Sequence, residues 1–156
     1  MQPESHHLES HFEAGPGGMF RRVLVGYDGS AEAQRALQVA VALAADLGGD
    51  ALVLLVVRPP AHVETGEERS AAAKAEQDNL SRGLEAAQNQ TRHRSEIRTE
   101  VVYDDDPAGA IAGYAEEHGF DLIVVGGHGR EQMTHRGLGQ SVEALLRKHP
   151  CPVLVV

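Results

Sequence analysis

The chain has 156 residues, with 23 Asp plus Glu against 14 Lys plus Arg, for a formal net charge of −9 with neutral histidines. That sign excludes a sequence-independent nucleic-acid binder and a polybasic membrane anchor, both of which need a basic surface to meet phosphates. The length fits one domain able to bury its own core. Cys151 is the only cysteine, so no internal disulfide forms, and a lone thiol without an export signal fits a reducing cytoplasm.

Residues 1–18 carry three glutamates, no Lys or Arg and no apolar core, so they lack both halves of a signal peptide. They read as a disordered tail, either a vector remnant or an extended translation start, ahead of a domain over 19–156. The longest apolar runs, Val39 to Ala45 and Ala51 to Val57, fall far short of the ~18 residues a membrane span requires.

From Phe20 onward short apolar runs alternate with 3.6-period segments, the signature of an α/β fold with a parallel sheet. Val23 to Val25 is the first strand. Ser30 then caps a helix whose stripe is Ala33, Ala36, Leu37, Ala40, Val41, Ala44 and Leu47, and Gly48-Gly49 stops it. Ala51 to Val57 reads as a strand covered on both faces. Residues 67–90 have helical composition with a sparse stripe (Ala73, Leu80, Leu84, Ala87), which predicts the most exposed helix. Ile97 to Tyr103 alternates polar and apolar residues, as an edge strand does. Asp106 caps a helix with Pro107 at its first position, apolar contacts at Ala110, Ile111, Tyr114 and Ala115, and Gly119 as its stop. The fourth strand is Leu122 to Val125. A last helix, roughly Ser141 to Lys148, buries Val142, Leu145 and Leu146 ahead of a final strand, Val153 to Val156.

In an open parallel sheet, ligands bind beyond the carboxyl ends of the strands, where the strand order reverses. The loops there are Gly26 to Ser30 and Gly126 to Ser141. The second holds Gly126, Gly129, Gly137 and Gly139 ahead of a helix start, an arrangement that lets backbone N–H groups converge on an anion. Spacing alone fits a ligand-free glycine loop equally well. Charge favours the cradle: residues 126–150 are net +2 while the remainder is net −11, and Arg130 and Arg136 lie within the loop. Walker A and G-x-G-x-x-G are both missing, and Gly139-Gln140-Ser141-Val142-Glu143 is not a nucleophile elbow because Glu143 replaces the second glycine. Ser141 is better read as a helix N-cap or phosphate donor.

FRRVLVGYDGS, DLIVVGGHGR, the spacing Gly126-x2-Gly129-x9-Gly139 and the ending LLRKHPCPVLVV, in this order, closely resemble the universal stress protein family over residues 19–156. The resemblance implies a Rossmann-like open five-stranded parallel sheet in the order 3-2-1-4-5 with helices on both faces. It also implies a homodimer through the C-terminal strand Val153 to Val156. In the ATP-binding branch, Asp28, together with the backbone of Gly26 and Tyr27, would face the adenosine, and Val57 and Val125 would line the base. Gly126, Gly129 and Gly139 would present backbone to ribose and phosphates, with Arg130, Gln140, Ser141 and Val142 completing the phosphate site. Gln140 stands where that branch carries Ser or Thr.

The expected ligand is therefore ATP, with or without Mg²⁺, with AMP or cyclic AMP as the alternative; a dimeric interaction protein with an empty site is the competing class. No general base or nucleophile can be named, so at most slow ATP hydrolysis is expected. His6, His7 and His11 lie in the tail, and His128 and His135 flank the glycine loop; none has compact metal-ligand spacing. The acidic run Asp104-Asp105-Asp106 is read as a helix cap with solvated neighbours, and Cys151 as a packed thiol.

Overall fold

The computed structural model describes residues 20–57, 66–90, 97–127, 139–148 and 150–156. The strands are β1 (Arg22–Tyr27), β2 (Asp50–Val57), β3 (Ile97–Tyr103), β4 (Leu122–Val125) and β5 (Val153–Val155). The helices are α1 (Ala31–Leu47), α2 (Gly66–Gln90), α3 (Pro107–Glu117) and α4 (Gln140–Lys148). All five strands pair in parallel, in the order β3-β2-β1-β4-β5, so the Rossmann-like α/β architecture read from the sequence is what the chain adopts.

Strand alternation sends side chains into two cores. Val23, Val25, Tyr27, Val53, Leu55 and Val57 pack beneath α1 and α2. Leu24, Leu54, Ile123 and Val125 pack beneath α3 and α4. The sparse stripe of α2, Ala73, Leu80, Leu84 and Ala87, is buried as the periodicity predicts. Short carboxylate and glycine devices set the frame. Asp121, just before β4, accepts from the backbone N–H groups of Arg21 (2.8 Å) and Arg22 (2.9 Å), aligning the starts of β1 and β4. Gly48 closes α1 in the left-handed conformation, at φ 69°.

Four details differ from the sequence reading. β1 continues through Gly26 to Tyr27, which pairs with Leu55, so both residues belong to a strand and not to the following loop. The apolar face of α3 is Ala108, Ile111, Ala112 and Ala115, with Ala110 and Tyr114 only half-buried. Leu47 and Leu146 are also half-buried, because each falls in the last turn of its helix, where packing thins. Finally, α4 starts at Gln140, with Gly139 accepting the first helical hydrogen bond from Glu143 N–H (2.9 Å); Ser141 is therefore inside the first turn and is not the N-cap.

Candidate functional site

The order 3-2-1-4-5 places the switch point between β1 and β4, since the chain steps from β1 to β2 on one side and resumes at β4 on the other. Just past β1, Asp28 Oδ1 accepts from Ser30 N–H (2.9 Å), while Gly29 takes φ 82° to make the turn. Ser30 Oγ in turn accepts from Ala33 N–H (3.0 Å) and caps α1. Asp28 is thus a turn residue in this structure, held half-buried at the mouth of the crevice.

The tip of β4 meets the starts of two helices. A Cβ built on Gly126 would lie 2.6 Å from Glu32 Cβ, 2.8 Å from Glu32 C and 2.9 Å from Ala33 N, so only glycine lets β4 press on the first turn of α1. Gly127 donates to Val156 O (2.9 Å) and its carbonyl accepts from Gly139 N–H (2.8 Å). This last bond ties β4 to the start of α4 and closes the base of the segment 128–138. Both helix N-termini bring partial positive charge to one backbone without side chains.

The structure thereby brings together the backbones of Gly126 and Gly139, the start of α4 at Gln140 and Ser141, and the Asp28 turn. Gln140 and Ser141 are exposed, while Val142 is buried and serves the core. Val57 and Val125 do not share a face: Val57 packs under α1 and α2, Val125 under α3 and α4. Their side chains cannot both line one base, so a contact from Val57 on the α3 side would be through its backbone. Tyr27 likewise offers only backbone to the crevice, because its ring is buried under α1 and α2. Gly26 faces α3. Gly129 and Arg130 lie outside the described residues, as do His128 and His135. Sequence reasoning missed Gly127; the glycine doublet that follows β4 was the available signal, since its first residue packs on the start of α1 and its second bonds the residue before α4.

The Tyr27 hydroxyl is the one buried side-chain polar atom without a hydrogen-bond partner among the described residues. Burial pushes its phenol above the ordinary 10.0; the Gln34 side chain opposes this and the Asp28 carboxylate adds to it. Burial, and then Asp121, pushes the half-buried Cys151 thiol up, which disfavours the thiolate, and the side chain packs against the α3 and α4 core. The acidic run is engaged locally: Asp104 Oδ1 accepts from Asp106 N–H (2.8 Å), Asp105 pairs with Arg69 on α2 (3.1 Å), and Asp106 Oδ1 caps α3 at Gly109 N–H (3.1 Å). No cluster of three potential metal ligands occurs among the described residues, and no helix there is long and apolar enough to cross a membrane.

The sequence pattern of the universal stress protein family matches residues 19–156. Universal stress protein YxiE of Bacillus subtilis is 31% identical over 155 residues, covering 88% of this chain and 99% of that protein. Universal stress protein UspA from Lactobacillus plantarum superposes with a TM-score of 0.79 at 26% identity, over 88% of this chain and 98% of that one. Two further solved universal stress proteins share the fold at a TM-score of 0.60. One is in complex with cAMP, at 24% identity over 88% of this chain and 97% of its own. The other, from Archaeoglobus fulgidus in complex with dAMP, is 20% identical over 88% and 98%. With the family pattern spanning the sheet, both helix layers and the glycine segment, this chain belongs to the universal stress protein family.

Proposed function

We propose that the protein binds an adenine nucleotide in the crevice between the carboxyl ends of β1 and β4, and that occupancy of this site serves a sensing or regulatory role under stress. The observation that supports the reading is the approach of the first turn of α1 and the start of α4 to the side-chain-free backbone at Gly126 and Gly127, which sets the positive ends of two helix dipoles beside one crevice. The spacing Gly126-x2-Gly129-x9-Gly139 favours ATP, with Mg²⁺ held chiefly by its phosphates. A monophosphate, AMP or cyclic AMP, is the second reading. It is supported by Gln140 at the first position of α4 and by the relatives solved with cAMP and dAMP. The reading includes a cytoplasmic homodimer paired through β5 and assigns no catalytic residue.

The test is to denature the purified protein, identify any released nucleotide by mass, and titrate ATP, AMP and cyclic AMP by calorimetry. Saturable binding of at least one at micromolar to millimolar concentration is expected. If all three fail at millimolar concentration, the nucleotide reading is wrong and the interaction protein with an empty site replaces it. Gln140→Ser should tighten ATP, by adding a hydroxyl at the start of α4, and leave cyclic AMP nearly unchanged.

A further inference from the structure

The face of α3 that meets the sheet consists of Ala108, Ile111, Ala112 and Ala115, and Ile111 is the only large side chain of the four. It is aimed at Gly26. A Cβ built on that glycine would lie 2.7 Å from Ile111 Cδ1 and 3.1 Å from Val125 Cγ1, so the tip of the isoleucine occupies the space that a side chain at position 26 would fill. The alanines let the helix approach the sheet closely, and the slot at Gly26 is what admits the one bulky residue.

This slot lies at the edge where ligands of such sheets bind. Gly26 is next to last in β1 and Val125 is last in β4. α3 starts at Pro107, only a short turn after β3 ends at Tyr103, so its start lies at the same carboxyl edge, and Ile111, one turn in, reaches Gly26. Val57 and Tyr27 turn their side chains to the other face, which leaves Val125 and Ile111 as the apolar side chains nearest to Gly26.

We propose that Ile111, seated in the slot that Gly26 leaves open against Val125, forms the apolar floor on which the base of the nucleotide rests and sets the preference for a base-bearing ligand over a bare sugar phosphate. This rests on the adenine-nucleotide reading of the site. Residue 26 and residue 111 then act as a pair: the glycine makes room, and the isoleucine shapes what the base meets.

The chain contains three isoleucines, and the other two, Ile97 at the start of β3 and Ile123 in the middle of β4, are removed from that edge. Carbon-13 labelling of isoleucine δ1 methyls in the full chain therefore gives three signals. With AMP at saturation, the Ile111 methyl should shift and show a cross-peak to adenine H2 or H8, while the Ile123 methyl shows none. Ile111→Val should weaken AMP a few-fold and Ile111→Ala about tenfold, the scale of lost apolar contact in a ligand pocket, with ribose 5-phosphate changed less than about twofold. An AMP-saturated protein without a cross-peak from Ile111 to the base overturns the proposal and leaves the nucleotide reading standing. Equal losses for AMP and ribose 5-phosphate in the variants overturn it as well. A wild-type chain that binds neither AMP nor ATP overturns the nucleotide reading, and this proposal with it.

Discussion

A buried phenol gives up its bonds to water, and the Tyr27 hydroxyl makes no hydrogen bond of ordinary geometry to replace them, although the Gln34 side chain acts on it favourably. Tyr27→Phe should therefore leave stability at neutral pH unchanged or raise it by about 1 kcal/mol in urea unfolding. The folded state holds the Tyr27 proton more tightly than the unfolded chain does, because the folded value is raised. Its stabilisation is complete below the ordinary tyrosine value of 10.0 and is lost as pH climbs through the raised folded value. Tyr27→Phe should thus move the alkaline unfolding midpoint upward in melts followed by circular dichroism; a midpoint that falls would contradict the burial assigned to this ring. Two glycines make a sharper contrast. Gly126→Ala drives a Cβ into the backbone of α1 and should cost about 1–3 kcal/mol. Gly83→Ala, within α2, brings its Cβ only to 3.5 Å from the Tyr27 hydroxyl and should stabilise by up to about 1 kcal/mol through helix propensity. Opposite signs in parallel urea titrations are the expected outcome.

Among the elements, α3 depends most visibly on a single side chain. Asp106 caps it at Gly109 N–H, and the glycine leaves room for the carboxylate. Asp106→Ala should cost about 0.5–2 kcal/mol and speed hydrogen exchange in the first turn of α3, with β4 unaffected. The caps and the stripes of α1 and α2 were legible in the sequence because each rests on a strong local preference: Ser30 and Asp106 on side-chain acceptors, Gly48 on positive φ, Leu80 and Leu84 on periodic burial; the strand order came only with the family resemblance. The rotation of α3 was not legible. Its Pro107-Ala-Gly-Ala-Ile-Ala-Gly-Tyr-Ala sequence puts small residues on every side, so no period stands out and the buried set shifts to Ala108 and Ala112. Tyr27 was misread as a loop residue because Asp28-Gly29 announces a turn, yet strand pairing to Leu55 extends right up to it. At the site, the glycine spacing marked the segment but not the function of each glycine. That Gly126 admits a helix and Gly127 joins β4 to α4 follows only from tertiary approach.

For the molecule as a whole, one end of the sheet is β5, whose pairing with β4 uses one edge and whose other edge pairs with no strand among the described residues. Leu154 there is 36% exposed, a large apolar side chain on a short edge strand. Such an edge is a pairing template unless covered. If a second copy covers it, Leu154→Lys should shift the sedimentation distribution from dimer to monomer while the circular dichroism spectrum stays that of the parent. An unchanged distribution would place self-association elsewhere.

The bond between Gly139 N–H and Gly127 O has a consequence for variation within the fold. Chain departing after residue 127 is received again at 139 within one hydrogen bond, so the two ends of the intervening sequence are anchored at a fixed, short separation on the scaffold. Closure entropy grows slowly with length, about 0.6 kcal/mol for each doubling. With its anchor points fixed in this way, the closure term alone adds little for a change in length between them, and the two ends form a socket whose geometry belongs to the frame and not to what is plugged into it.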